Sequence, residues 1–483
     1  MNQEYLRIQE QIHRAEAEAM AENAGFYRLG FHLMPPTGWL NDPNGLCQLG
    51  DTYHLFFQYA PLDARGGMKT WGHYTTKDFC RFTYLGVPLV PDMPFDRNGV
   101  YSGSAYTDEE GMHIYYTGNV KLSGEHDYVT SGRRADTIMV ESKDGMHFGD
   151  KQVVISSDDY PQNYSCHIRD PKVWRENDTG YMVLGGRTKS DEGRILIYTS
   201  SDMKKWELLR EITAKGALGY MWECPDLFFL DGHPVISFSP QGLKAEEFRY
   251  QNLYQSGYFI SDVNPLTQDI AVDEALFMEW DMGFDFYAPQ TFQDSSGRRI
   301  LIGWAGMPDA EYKNGEVEKE NWQHCFTVPR RLTLKQTEDG IKRVYQEPVE
   351  EIKKLRTGES YKLKKEHAAF KEEYLDIEIE RLPRVFKFTI ADGVTFSYNG
   401  EWAALSLTED TGLGRKIRRA KIFSINSIRI LVDSSILEYY INDGEIVFTT
   451  RYYKKEKGTV IQTDFSGADV TVYPMERIVV KGD

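Results

Sequence analysis

Three carboxylates in this chain sit among residues that restrict the backbone around them. Asp42 lies in Trp39-Leu40-Asn41-Asp42-Pro43-Asn44-Gly45, where Pro43 fixes its own φ and pushes Asp42 toward an extended conformation, while Asn44-Gly45 tolerates positive φ. A carboxylate held in such a rigid turn, beside Asn41 and the ring of Trp39, suits a polar ligand with apolar faces. The same Asn-Asp-Pro-Asn-Gly also spells an ordinary tight turn between strands. Glu223 lies in Met221-Trp222-Glu223-Cys224-Pro225-Asp226, and Asp170 lies in Arg169-Asp170-Pro171. By residue type alone the first is equally a solvated or salt-bridged glutamate and the second an ion-paired turn before a strand. Cys224 has no His or Lys nearby in sequence to activate its thiol. Separated carboxyl groups are what glycoside cleavage with retention requires. One attacks the anomeric carbon and the other protonates the leaving oxygen, with the two about 5 to 5.5 Å apart. Adjacent residues cannot do this, so the pair must come from segments that face one another.

The whole string from Trp39 to Gly45 resembles the signature of glycoside hydrolase family 32, the β-fructosidases. Seven specified positions coincide by chance about once in 20 to the seventh power windows, which makes this far stronger than a lone glycine pattern. The resemblance implies Asp42 as nucleophile, Glu223 of the Glu-Cys-Pro motif as acid/base, and Asp170 of the Arg-Asp-Pro motif as the group that grips fructose hydroxyls and stabilises an oxocarbenium-like transition state. Glu223 must then remain protonated near neutral pH, which an ionised Asp42 and partial burial would both promote. Phe56-Phe57-Gln58-Tyr59-Ala60-Pro61 is similar to a further family segment, with Gln58 bonding to sugar and Ala60 where asparagine is usual. Trp71-Gly72-His73 and Tyr101-Ser102-Gly103-Ser104 match as well, as do Asp285 to Gln290, Gly303-Trp304, and Trp322 with Thr327 to Arg330. Trp39, Leu40, Asn41, Gln58, Trp71, Tyr101, Ser102, Arg169 and Trp304 are therefore the expected substrate-binding set, with aromatic rings stacking on apolar sugar faces. No metal or other cofactor is implied, because there is no HExxH and no EF-hand loop. The activity implied is retaining hydrolysis of a β-fructofuranosyl bond in sucrose, sucrose 6-phosphate or a short fructo-oligosaccharide. A fructosyltransferase, or a sugar-binding propeller without turnover, stays open beside it; the three intact carboxylates speak against the second.

Such residues need a scaffold that brings distant segments together. Residues 2 to 24 place Tyr5, Ile8, Ile12, Ala15 and Ala19 at helical spacing before Gly25, which predicts one amphipathic helix. From about residue 30 the pattern changes to short strands with turn signals. Thr76-Lys77-Asp78, Ser142-Lys143-Asp144, Ser200-Ser201-Asp202 and the degenerate Ser261-Asp262 recur every 60 residues or so, roughly the scale of one four-stranded propeller blade with long loops. Length and period predict an all-β fold: a five-bladed β-propeller over residues 29–345, behind a helical extension over residues 1–28. Glu347-Pro348 to Leu355 reads as a linking helix within residues 346–360. Alternation in Leu375 to Glu380 and Val385 to Ile390, and the Asn442-Asp443-Gly444 hairpin signal, predict a C-terminal β-sandwich over residues 361–483.

The chain has 483 residues with 56 basic and 73 acidic side chains, a net charge of −17. That balance argues against nucleic acid or an anionic membrane surface as a non-specific partner. It also means that a phosphorylated substrate needs a local basic pocket, for which Arg187 and Lys189 are candidates. The N-terminus lacks a secretory pattern and no apolar run approaches a membrane span, so a cytoplasmic protein is expected. Five cysteines without CxxC spacing suggest neither a disulfide framework nor a zinc site. The residues do not indicate an oligomeric state.

Overall fold

The computed structural model describes residues 2–21, 25–363, 367–391, 393–464 and 467–482. The N-terminal helix runs Gln3–Ala21, and residues 22–24 of the expected helix lie outside the described residues. Asn2 caps it by accepting the Tyr5 N–H at 2.8 Å. Ile8 and Ile12 are buried in the core shared with the first sheet. Glu16 accepts the hydroxyls of Tyr59 at 3.1 Å and Tyr84 at 2.5 Å, which pins the helix to two strands of that sheet.

Five mainly antiparallel sheets follow in chain order. Their lead strands are Gly38–Leu49, Val100–Asp108, Tyr164–Glu176, Met221–Leu230 and Tyr287–Gln293. Each lead strand pairs with the next strand in sequence, and the lead strands of neighbouring sheets touch in a closed circuit, first to second and so on to fifth and back to first. The strand Thr52–Ala60 is buried at all but its first position. Alternation is missing there because both faces of the sheet are covered.

The Ser/Thr-x-Asp repeat occupies one place throughout, just after the third strand of its sheet. Asp78, Asp144 and Asp202 each accept two backbone N–H groups two and three residues on, at 2.8 to 3.0 Å. Thr337-Glu338-Asp339 is a further instance after the third strand of the fifth sheet, Arg330–Gln336, with the Thr337 hydroxyl on the Asp339 carboxylate. An Asx turn here starts the return to the outer strand.

Glu350–Leu355 forms a 3-10 helix; Pro348 ends the preceding strand and lies outside the helix, where its missing N–H terminates the ladder. Beyond it, two six-stranded antiparallel sheets share one core of residues such as Ile377, Phe388, Phe396, Ile430, Tyr439 and Phe448. Ile436–Ile441 and Ile446–Arg451 form the hairpin around Asn442, Asp443 and Gly444, all at positive φ. The last strand, Val479–Gly482, joins neither of these sheets. It returns to the first sheet and pairs in parallel with Arg81–Tyr84.

Candidate active site

Each lead strand breaks register near its start. The breaks fall between Leu40 and Pro43, Val100 and Gly103, Arg169 and Lys172, Glu223 and Asp226, and Tyr287 and Gln290. A bulge inserts an unpaired residue and re-aims its side chain, and a proline there forfeits no ladder bond. Four of the five bulges carry one: Pro43, Pro171, Pro225 and Pro289. Asp170, Cys224 and Ala288, each just before proline, sit at φ of 63°, 47° and 47°. Such left-handed non-glycine residues store about 1–3 kcal/mol of strain each. Asp42 thus lies inside a bulged strand and not in a tight turn between strands, which corrects both turn readings of its motif.

The bulges bring the three carboxylates together. Asp42 accepts Asn41 Nδ2 at 3.0 Å on one oxygen and the Ser102 hydroxyl on the other. Asp170 accepts the Cys224 N–H at 2.9 Å, and Cys224 Sγ lies 3.7 Å from Oδ2 of both Asp42 and Asp170. Burial, with the charges of all three carboxylates, pushes the Cys224 thiol far up. It stays protonated and bridges the two aspartates. Glu223 is gripped by Arg169 Nη2 at 2.6 Å on Oε1, and by Gln241 Nε2 at 2.7 Å and the Tyr287 hydroxyl at 2.6 Å on Oε2. Burial raises Asp42 above the usual carboxylate range and Glu223 adds to it, against its hydrogen bonds and the Lys69 charge. Burial also pushes Asp170 up to about 7, with Arg169 opposing and the charges of Glu223 and Asp42 reinforcing.

Asn41 is the hub of a second chain of contacts. Its Oδ1 accepts Trp39 Nε1 at 3.1 Å and Lys69 Nζ at 2.7 Å, while its Nδ2 also reaches Gln58. Trp39, Trp304 and His324 form one aromatic wall, with Trp39 4.3 Å from the His324 ring and 5.9 Å from the Trp304 ring. Tyr101 is half-buried beside Ser102. Lys69, Gln241, Tyr287 and His324 were not among the expected site residues. Tyr287 lay in a string already matched to the family, whereas nothing local marks Lys69. Its ammonium meets Asn41 only because the fold of the first sheet carries it there, 5.3 Å from the Trp39 ring.

Two expected contacts take other roles. Leu40 is fully buried in the core behind the first sheet, because inward and outward side chains alternate along the strand around Asp42. Trp71 is also fully buried, and its indole N–H goes to the Tyr101 carbonyl at 3.1 Å. It supports the pocket from below and does not stack in it. Ala60 sits opposite Trp39 in the ladder and is buried. Among the described residues no cluster of three or more His, Cys, Asp or Glu is arranged to hold a metal ion.

Residues 32–348 match the model for the glycosyl hydrolases family 32 N-terminal domain and residues 384–480 that for its C-terminal domain. Sucrose-6-phosphate hydrolase of Bacillus subtilis (strain 168) is 37% identical over 466 residues, 92% of each chain. A Bombyx mori GH32 β-fructofuranosidase variant in complex with sucrose superposes with a TM-score of 0.86 at 30% identity, over 99% of this chain and 100% of that one. Sucrose-6-phosphate hydrolase of Lactobacillus gasseri gives a TM-score of 0.86 at 28% identity, covering 96% and 97%.

Proposed function

The chain belongs to glycoside hydrolase family 32, and on that premise we infer that it is a β-fructofuranosidase hydrolysing sucrose or sucrose 6-phosphate. The observation that carries the reading is that Asp42 from the first sheet and Asp170 from the third meet at the thiol of Cys224 from the fourth, next in the chain to Glu223. In this reading the five sheets are the blades of one propeller over residues 29–345, and the ring of lead strands is its funnel. Residues 346–360 link it to a sandwich over residues 361–483.

Asp42, oriented by Ser102 and Asn41, attacks the fructosyl anomeric carbon. Glu223 gives its proton to the departing glycosidic oxygen, and later takes one from the water that opens the fructosyl-enzyme. Arg169, Gln241 and Tyr287 fix where that carboxyl group points. Asp170 sits between the two, where its charge strengthens contact with a sugar that becomes cationic only in the transition state. Trp39 and Trp304 supply flat apolar faces for the ring. A cytoplasmic location goes with the phosphorylated substrate, since a sugar phosphate does not cross a bilayer unaided.

The test is kcat/KM for sucrose 6-phosphate, sucrose and 1-kestose with the parent protein and with Asp42→Asn. Release of fructose by the parent and its loss by at least about 1,000-fold in a folded Asp42→Asn variant are expected. Near-normal turnover by that variant would refute the mechanism.

A further inference from the structure

We propose that Arg133, seconded by Lys189, binds the phosphate of the leaving sugar in the crevice between the second and third sheets; this rests on the fructofuranosidase reading above. Arg133 opens the third strand of the second sheet, Arg133–Ser142. Its guanidinium gives one bond to Asn119 Oδ1 at 2.9 Å and leaves Nε buried without a partner. The neighbouring Arg134 is ion-paired with Asp136 and Asp158. Among the described residues Arg133 has no such pair, although acidic side chains outnumber basic ones by 73 to 56. A half-buried guanidinium without an anion has lost hydration and gained nothing for it.

The surroundings fit a phosphate monoester. A cavity of about 270 Å³ lies here, lined by Arg133, Arg134, Thr130, Ser165, Gln162 and Lys189 among others. Its one carboxylate, Asp158, is already taken by Arg134, so the cations Arg133 and Lys189 remain for a dianion, with the Ser165 hydroxyl beside them. The cavity is walled by Tyr164, Ser165, Cys166 and Ile168, the opening stretch of the third lead strand, which runs directly into Arg169 and Asp170. Its wall residue Ile168 precedes Arg169, which holds Glu223, and His167 joins the two regions by meeting Arg169 with Nδ1 and the Tyr128 carbonyl with Nε2 at 3.0 Å. Burial pushes His167 down to about 3, and the charges of Arg169, Arg133 and Arg187 reinforce it; of these three cations Arg169 and Arg187 have carboxylate partners and Arg133 has none among the described residues. Arg187 is the weaker candidate: it is held by Asp191 and lies 4.5 Å over the Tyr220 ring.

The experiment measures kcat/KM for sucrose 6-phosphate and for sucrose with the parent, Arg133→Gln and Lys189→Gln. The parent should prefer the phosphorylated sugar. Arg133→Gln should lose about 10- to 100-fold on sucrose 6-phosphate, mainly in KM, the worth of charge-assisted hydrogen bonds to one anion. Its activity on sucrose should stay within about twofold, and Lys189→Gln should show a smaller loss of the same selectivity. Equal losses on both sugars, or no loss on either, overturn the assignment. A parent that cleaves sucrose without preferring the phosphate overturns it too and leaves the fructofuranosidase reading standing, whereas a parent that cleaves neither refutes that reading first. Should Arg133→Gln not fold, Lys189→Gln decides by the same selectivity.

Discussion

Replacing Asp170 by asparagine should stabilise the folded protein while removing its activity, and the gain should depend on pH in one direction. Burial lifts the Asp170 carboxyl from 3.8 to about 7. A shift of about 3 units is worth about 4 kcal/mol, at 1.36 kcal/mol per unit. The sign follows from proton uptake. Between 3.8 and about 7 the folded state holds a proton that the unfolded state has released, so stability falls as pH rises through that window. The cost is absent below the unfolded pKa and complete above about 7. An asparagine side chain carries no charge to bury and can still accept the Cys224 N–H. Its amide nitrogen takes the place of Oδ1, which among the described residues accepts no hydrogen bond, and this returns about 1–3 kcal/mol of the gain. A net stabilisation of about 1–3 kcal/mol at pH 8 should remain, or roughly 2–5 °C in the melting of the catalytic unit. It should cross zero between about pH 4.5 and 6, where the gain at 1.36 kcal/mol per unit equals the amide penalty, and reverse by pH 4. Calorimetric melting of parent and variant at pH 4, 5, 6, 7 and 8 checks this, and fructose release confirms that the variant is inactive. An asparagine variant that is no more stable than the parent at pH 8, or whose advantage is the same at every pH, would refute the electrostatic account of this pocket.

Two further outcomes follow from the same contacts. Burial pushes Lys69 down to about 8 against the opposing charge of Asp42, so kcat/KM should decline above about pH 8 as Asn41 loses a charged donor. Lys69→Met should be slower already at pH 7 and lack that alkaline limb; a parent profile flat to pH 9.5 would exclude the role. Arg415 and Asp285 form a fully buried pair at 2.8 Å, and Arg415→Met should cost about 3–5 kcal/mol by stranding the carboxylate. Thermal unfolding of Arg415→Met against Arg415→Met/Asp285→Leu should show the second recovering part of the loss.

What was legible in the sequence was local. The Asx turns at Asp78, Asp144 and Asp202 could be read because two residues suffice to write them, and each marks the end of a third strand. The three carboxylates were legible for the same reason, each sitting in a short string with a proline. The register breaks that unite them were not, although Asp42-Pro43, Asp170-Pro171, Cys224-Pro225 and Ala288-Pro289 mark four of the five. A proline in a strand reads as a turn until the partner strand is known. Contacts fixed by the far end of the chain left no trace. Lys69 gains meaning only through its side-chain bond to Asn41, two strands away in the same sheet, and the pairing of Val479–Gly482 with Arg81–Tyr84 joins segments nearly the whole chain apart. Leu40 and Trp71 failed as pocket residues because a family string names positions without saying which face of the strand each side chain takes.

The C-terminal sheets reach the catalytic carboxylates through backbone rather than through the pocket. Strand Ile446–Arg451 runs along residues 281–285, with the Thr449 carbonyl accepting the Asp285 N–H and the Arg451 N–H donating to the Asp285 carboxylate. Gly283 permits that approach, since a Cβ there would stand 2.0 Å from the Thr449 carbonyl oxygen. Two residues beyond Asp285, the Tyr287 hydroxyl holds Glu223. On the other side His32, six residues ahead of Gly38, is locked between Asp433 and Glu438 at 2.9 Å each, all three fully buried. Glu438 in turn takes Arg330, which Asp281 also holds. Buried charges tied this closely are costly unless every partner is present. The two lead strands that flank the seam of the ring, the first with Asp42 and the fifth with Tyr287, are therefore both anchored to the same pair of sheets. On the proposed assignment, that shared anchor sets how Asp42 and Glu223 face each other although, among the described residues, no side chain of these sheets bonds to either carboxylate.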